Sequence, residues 1–482
     1  MAKQKIEAKR FEFRDSKSEK FWAISLDGAA HTVVYGKIGT AGQTKTKDFP
    51  DEEAAKKSYD KLIGQKTKKG YEEVVAAAPP SKQDLAAQRA FAKRFAPFKK
   101  AILADPDDIA NYAVFGDWLS DQDDPRGEFI GVQIAMEDAS LKAPQRKKYK
   151  AQEKSLIKKH EREWLGSLAD FLIDQKGYDS SWGGGSKCYT YKFARGFLDS
   201  IHASRFSLEF GHELKNSPLC ETLRCLEIED TTYLEEPIAI AGKNYSGDED
   251  YGLLTLIGAK FSNLRTFMLG DAKYGTSRTR GEGVEELVKK MPRIESLHLE
   301  CGGIDMEKLF KVKMPNLRSL VAHHHSFYPV ELLAKNSSLK NLETLKMYPH
   351  AMEYDDVQTA YLRLEHIEAI GRSKHLQSLK HLQFRLSDMG NPGVEEIIKS
   401  GLLGRLKTLD LKHGCITDEG VDMLVESPDL KNLEMLVLDG NAITKDGVKK
   451  LKKSAVKHSA KELISPEGLD DEPEYLWYGD ME

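Results

Sequence analysis

The stretches LKTLDLKHGCITDEGVDMLV (residues 406–425) and LEMLVLDGNAITKDGVKKLK (residues 433–452) align position by position, with their first leucines 27 residues apart. Each opens on Leu-x-x-Leu-x-Leu, in which apolar and polar residues alternate as they do along a half-buried strand. A turn follows, with Asn441 in the second copy where the first has Gly414. An isoleucine comes next, then a short amphipathic helix that begins with an acidic residue and Gly-Val. One strand–helix unit of this size cannot bury its apolar face alone. Stacked units share a continuous core.

The same frame recurs upstream at LRCLEI (223), LRTFML (264), IESLHL (294), LRSLVA (317), LETLKM (342) and LKHLQF (379), and LDSIHA (198) fits as the first, capping unit. Spacing and pattern predict a leucine-rich-repeat solenoid over residues 171–460, a curved parallel sheet with outer helices. The longer gaps hold inserts, TTYLEEPIAIAGKNYSGDEDYG and HAMEYDDVQTAYLRLEHIEAIGR.

Within each frame the residues flanking the strand leucines face the concave side. The fifth position reads His202, Glu227, Met268, His298, Val321, Lys346, Gln383, Asp410 and Val437. The seventh reads Ser204, Glu229, Gly270, Glu300, His323, Tyr348, Arg385, Lys412 and Asp439. Glu227, Glu229, His298, Glu300, His323, Lys346, Tyr348, Gln383, Arg385, Asp410 and Lys412 are the candidate contacts for a protein partner, because a mixed surface containing aromatics suits a protein. A nucleic-acid groove would be more uniformly basic.

The front of the chain reads differently. RFEFRD, KFWAISLDG, TVVYGKIGT and QTKTKDF (within residues 10–49) alternate as strands, with turns at Asp27-Gly28 and Gly39–Gly42. A helix follows, capped by Asp51 and stopped by Gly70, with Ala54, Ala55, Tyr59, Leu62 and Ile63 at helical spacing. AAAPPSKQD (76–84) has linker composition, and residues 85–170 read as helices. The expected architecture is an α/β multidomain chain. It comprises a small α+β domain at 1–78, a linker at 79–98, a helical connector at 99–170, the solenoid, and an acidic tail at 461–482.

Residues 1–78 hold 16 basic and 12 acidic side chains, whereas the whole chain carries 72 and 76, so the remainder is acidic. A basic front suits a polyanion, although solvated surface lysines have the same composition. No apolar run approaches the length of a membrane span, and the start lacks the apolar core of a signal peptide. Five cysteines without a CxxC pair read as reduced thiols of a cytoplasmic protein. No membrane partner is expected.

KFWAISLDG, VYGKIGTAGQTKTKDF and EEAAKKSYDKLIGQKTKKGY, in that order, resemble a WGR domain over residues 10–73. The name-giving triplet is here Tyr35-Gly36-Lys37. In DNA-damage-dependent poly(ADP-ribose) polymerases this domain contacts DNA near a break, and bacteria carry it without the polymerase. The resemblance implies an α+β module with DNA as its partner. Residues 105–137, DPDDIANYAVFGDWLSDQDDPRGEFIGVQIAME, resemble a bacterial motif that accompanies leucine-rich repeats, and the repeats resemble the ribonuclease-inhibitor type.

Tyr35, Gly36, Lys37, Gln43, Lys45 and Lys47 are the candidate nucleic-acid contacts. Tyr35 offers a stacking face, and the lysines offer charge without the planar fork of arginine. The alternative is that Tyr35 is a cross-strand core aromatic in a module that has lost nucleic-acid binding, which would leave a pure protein–protein scaffold. The carboxylates of DWLSDQDDPRGE do not match a calcium loop and read as helix caps. His298, Glu300 and His323 converge in the repeat frame, but metal binding would need a further strong ligand, and no metal is expected. No GxSxG, P-loop, dinucleotide or HExxH pattern is present, so neither catalysis nor a cofactor is expected.

Overall fold

The structure, a computed structural model, describes residues 5–14, 19–37, 43–74, 82–175, 187–231, 238–240, 243–245, 252–270, 279–325, 327–349, 362–454 and 456–460. The turn at 39–42, most of SSWGGGSK, much of both inserts and the acidic tail lie outside the described residues. Two compact units emerge, Met1–Asp123 with Lys154–Tyr189 and Asp124–Glu153 with Thr190–Glu482.

The first unit begins with β1 (Lys5–Arg14), β2 (Glu19–Asp27), β3 (Ala30–Lys37), β4 (Gln43–Asp48), α1 (Glu52–Thr67) and β5 (Glu72–Val74). The strands form one antiparallel sheet in the order β4-β3-β2-β1-β5. Alternation sends Trp22, Ile24 and Leu26 to one face, where they bury with Phe11 against Ala55 and Tyr59 of α1. The Asp51 carboxylate accepts from the N–H of Ala54 at 2.7 Å and caps α1. His31 Nε2 and Ser58 Oγ, 3.0 Å apart, tie the sheet to the helix.

Helix α2 (Lys82–Ala104) occupies most of the stretch expected as a linker and leads to α3 (Ile109–Ser120), which Asp108 caps. The rings of Phe95 and Phe98 pack on Phe115, and Phe98 also packs on Trp118. Helix α4 (Pro125–Glu137) is capped by Asp124, with proline at its first turn. Of the acidic residues of DWLSDQDDPRGE, Asp124 is therefore a cap, and Asp108 upstream is another. α5 (Ala143–Leu165) and α6 (Ala169–Leu172) follow.

In the second unit β6 (Tyr189–Ala194) and β7 (Phe197–Ala203) meet at Arg195-Gly196, whose φ values of 49° and 79° are those of a type I′ hairpin turn. After α7 (Leu208–Asn216) come β8 (Cys225–Ile228), the small ribbon β9 (Ile238–Ile240) and β10 (Lys243–Tyr245), β11 (Thr266–Leu269) and α8 (Val284–Val288). Next are β12 (Ser296–Glu300), α9 (Met306–Lys311), β13 (Ser319–His325), α10 (Val330–Lys335), β14 (Thr344–Pro349) and α11 (Leu364–Arg372). The chain continues with β15 (His381–Phe384), α12 (Gly390–Lys399), α13 (Leu402–Arg405), β16 (Thr408–Asp410) and α14 (Asp418–Glu426). The described residues end with β17 (Met435–Val437), α15 (Lys445–Lys453) and β18 (His458–Ser459).

Eleven strands make one sheet in the order β18-β17-β16-β15-β14-β13-β12-β11-β8-β7-β6, parallel at every junction from β7 to β18. The register follows the sequence frame: Leu226, Phe267, Leu297, Leu320, Leu345, Leu382, Leu409 and Leu436 form one transverse row, and all are buried. No helix among the described residues is long and apolar enough to cross a membrane.

Candidate functional site

The face of the solenoid sheet away from the leucines carries three transverse rows. The fifth frame position gives His202, Glu227, Met268, His298, Val321, Lys346, Gln383, Asp410 and Val437 as direct neighbours. The seventh pairs Glu300 with His323 and His323 with Tyr348. Strand alternation puts a third row on the same face, outside the two frame positions that the sequence pattern singles out: Ser200, Cys225, Thr266, Ser296, Ser319, Thr344, His381, Thr408 and Met435. Its residues are mostly small or hydroxylic, so they carry no signal of their own in the sequence.

Most of the candidate partner contacts, but not Glu227, Glu229 or Lys346, form a connected network from β12 to just beyond β16. His298 Nε2 lies 2.8 Å and His323 Nδ1 3.3 Å from the same oxygen of Glu300. On its other side His323 Nε2 lies 3.1 Å from the amide nitrogen of Gln383. A neutral imidazole with its proton on Nδ1 satisfies both, donating to Glu300 and accepting from Gln383. Burial pushes the His323 pKa below its ordinary value, against the opposing pull of Glu300. Protonation at Nε2 would also set a donor against the Gln383 amide. Glu300 is thus engaged by two imidazoles, and among the described residues no group of three His, Cys, Asp or Glu is arranged to hold a metal.

The network continues through Tyr348. The His323 ring meets it edge-on at 6.0 Å, and the Arg385 guanidinium lies 5.7 Å from its centroid. Arg385 Nε and Nη2 both donate to Asp410 Oδ2, at 3.0 and 2.8 Å. The Asp410 Oδ1 oxygen accepts from the N–H of Lys412 at 3.2 Å. Further along, His202 and Glu229 pair at 3.0 Å. Glu227 stands beside Cys225, whose thiol burial pushes up to about 12, so it stays protonated and unreactive. Lys346 is exposed, whereas Gln383 and Val321 are covered by their neighbours.

In the N-terminal module, Gln43, Lys45 and Lys47 lie on the exposed edge strand β4, directly across from Tyr35, Val33 and His31. Cross-strand partners share a face, so these side chains project from the α1 side of the sheet. Tyr35 is half-buried and packs on the core of Trp22 and Ile24. Its hydroxyl donates to Gln43 Oε1 at 3.1 Å, and Lys45 Nζ lies 5.7 Å from its ring. Gly36 faces away from Tyr35 on β3, across from Phe21 of β2, and Lys37 pairs with Lys20 at the strand end.

A second basic cluster lies on the α1 side of the module. Lys66, near the end of α1, holds its ammonium 4.5 Å from the Tyr71 ring centroid and 5.4 Å from that of Trp22. Its pKa is pushed down by burial and then by the like charges of Lys69 and Lys20. The three lysines come from two segments of the chain, the end of α1 with the residues after it and β2. The KTKKGY run holds two of them as part of a resemblance, but only the fold adds Lys20 and the Trp22 ring.

Residues 8–78 match the family described as WGR domain, and residues 406–425 match the family described as leucine-rich repeat. Over 65 residues, 14% of this chain, the sequence is 49% identical to the uncharacterized protein YfeS of Escherichia coli (strain K12), covering 27% of that protein. Over 65 residues it is 45% identical to protein YehF of the same organism, covering 24% of it. The chain therefore spans about a quarter of the length of these curated relatives. Among solved structures it is similar to a Bacteroides fragilis protein, with TM-score 0.41 and 18% identity over 95% of this chain and 97% of that one. It is also similar to an internalin of Listeria monocytogenes, with TM-score 0.30 and 16% identity over 53% and 71%. A third is the leucine-rich-repeat ectodomain of the plant receptor kinase GASSHO1/SCHENGEN3 from Arabidopsis thaliana, in complex with Casparian strip integrity factor 2, with TM-score 0.29 and 14% identity over 55% and 33%. The chain carries an N-terminal WGR domain and a run of leucine-rich repeats.

Proposed function

We propose that the chain is a non-enzymatic, cytoplasmic adaptor whose WGR domain contacts the phosphates of DNA and whose open repeat face holds a protein partner. The observation that carries the DNA half is the convergence of Lys20, Lys66 and Lys69 beside two aromatic rings, where the principal charges acting on Lys66 are like-signed. Such a cluster is relieved by a polyanion. Lys45 and Lys47, on the exposed edge strand, extend the basic side. For the repeat face, support comes from the aromatic and charged network of His323, Tyr348, Arg385 and Asp410. These side chains already hold one another, so little ordering entropy is given up on docking. The domain boundaries we adopt are 1–78 for the WGR domain, 99–170 for the helical connector and 171–460 for the repeats.

A specific observation favours a second reading. Tyr35 packs on the core and spends its hydroxyl on Gln43, which suits a structural aromatic better than a stacking platform. In that reading the module docks protein, and the chain is a pure scaffold. Fluorescence anisotropy of the full chain with a labelled duplex at low and at moderate salt separates the two. Salt-sensitive binding supports the DNA contact, and absence of binding at low salt leaves the scaffold.

A further inference from the structure

On the helix side of the repeats, away from the sheet face described above, the ends of α11, α12 and α13 and the segment holding Gln377 border an open cleft of about 480 Å³ lined by Gly371, Arg372, Gln377, Glu396, Lys399, Ser400 and Arg405. The unusual member is Arg405. Its Nη1 donates a long bond, 3.3 Å, to the amide oxygen of Gln377. Its Nε and Nη2 are buried with no acceptor among the described residues, and the same holds for Ser400 Oγ. Nε and Nη2 are the two donors of one guanidinium edge, the edge that grips a carboxylate or phosphate two-pronged. Arg195 uses that edge on Glu137. In Arg405 it is left over. Burial alone governs the ionisation of Arg405, without a carboxylate's pull.

A partly buried arginine without an opposing charge is costly to maintain. Other partly buried arginines of the repeats are matched: Arg224 with Asp199, and Arg385 with Asp410. In the cleft the one acid, Glu396, is held by Arg372 through both oxygens at 2.9 Å. Lys399 pairs with Glu395 on the exposed surface, a contact that water weakens and that leaves the ammonium available. Arg372 is further paired with Glu368, so among the cations of the lining Arg405 is the one without a carboxylate partner among the described residues. The carbonyl end of α12 opposes an anion here, so the side chains must supply the attraction.

We propose that this cleft binds a phosphoryl group, gripped by the Nε–Nη2 edge of Arg405 with Ser400 Oγ as an additional donor. A phosphoryl group offers three acceptor oxygens, enough for both donors of the guanidinium edge and the Ser400 hydroxyl, whereas a carboxylate offers two. Binding requires the guanidinium to rotate about its terminal side-chain torsions, exchanging the long Gln377 bond for two charge-assisted ones. Neither the DNA contact nor the protein-binding face uses these residues.

Calorimetric titration of inorganic phosphate into the full-length chain, at constant ionic strength, tests the assignment. Wild type binds, Arg405→Met weakens binding at least about tenfold, and Ser400→Ala weakens it less. Phosphate held by the N-terminal lysines is common to all variants and cancels in the comparison. In phosphate-free buffer Arg405→Met melts at the wild-type temperature or above, because an uncompensated charge has been removed. Adenosine monophosphate and phosphoserine then distinguish a nucleotide from a phosphopeptide as the source. Equal phosphate affinity in wild type and Arg405→Met overturns the proposal. So does a lower melting temperature or loss of folding of Arg405→Met without phosphate, which would make Arg405 structural. Acetate binding as tightly as phosphate overturns the phosphoryl assignment.

Discussion

Asn441 reaches back one repeat and accepts the backbone N–H of Gly414 at 2.9 Å. The same oxygen accepts from Ile416 N–H at 3.0 Å, while its Nδ2 donates to the carbonyls of Leu411 and Leu438 at 2.8 and 3.1 Å. The side chain is fully buried, so it replaces a missing backbone ladder where the chain turns from strand to helix. Asn441→Ala strands several buried backbone groups and should destabilise the chain by about 2–4 kcal/mol. Asn441→Asp keeps the two accepted bonds without the donors, and should unfold between the two. Urea denaturation gives the comparison, and an alanine variant within about 0.5 kcal/mol of wild type would show the ladder to be dispensable.

How far such pairings can be read in the sequence depends on their period. The strand rows could be assigned residue by residue, because a two-residue alternation repeated over eight frames admits one register. The pairing of His323 with Glu300 and of Tyr348 with Arg385 follows from those rows. Three things did not follow. The coverage of Gln383 depends on how long neighbouring side chains lie across it. The α4 helix and the start of α5 belong to the same compact unit as the repeats, through bonds made across some sixty residues of sequence. Lys20 joins Lys66 only because β2 and the end of α1 meet in space.

The seating of the hairpin on α4 carries its own test. Gln133 donates to the carbonyl of Phe193 at 3.0 Å and accepts from Gly196 N–H at 2.7 Å, so one amide closes both sides of the β6–β7 turn. Gly196 has φ of 79°, and a Cβ there would lie 2.3 Å from Ile130 of α4. Gln133→Ala should lower stability by about 1–3 kcal/mol. Gly196→Ala should exceed that, because it adds backbone strain to a collision. If Gly196→Ala melts like wild type, the hairpin does not seat on α4 as described.

The histidines predict a pH response. Burial holds the folded pKa of His413 down at about 4, below the ordinary 6.5, and it lowers those of His31, His323 and His366 as well. A base whose folded pKa is depressed gives stability that is fully present above its unfolded pKa. That stability declines as pH falls through the folded value. The urea midpoint should therefore decline between about pH 6.5 and 4, and His413→Gln should make the decline shallower. The His413 ring lies against Gly440, so the variant itself is expected to be modestly less stable at pH 7. An unchanged slope in the variant would assign the acid sensitivity elsewhere.

The lysine cluster of the WGR domain yields the sharpest functional prediction. Lys66 is partly buried against Trp22 and Tyr71 and is repelled by Lys69 and Lys20. Removing it relieves that repulsion, so Lys66→Ala with Lys69→Ala should leave the melting temperature near that of wild type. Affinity for duplex DNA should fall, and the slope of log K against log salt should flatten by about 0.9 for each phosphate no longer neutralised. Tyr35→Phe should leave DNA affinity unaltered, because its ring packs on the core and only the bond to Gln43 disappears. Anisotropy at several salt concentrations reads both. A double lysine variant with unchanged affinity and slope would remove this cluster from the interface. A large drop in affinity for Tyr35→Phe would return the interface to the β3–β4 edge, where Lys45 and Lys47 stand.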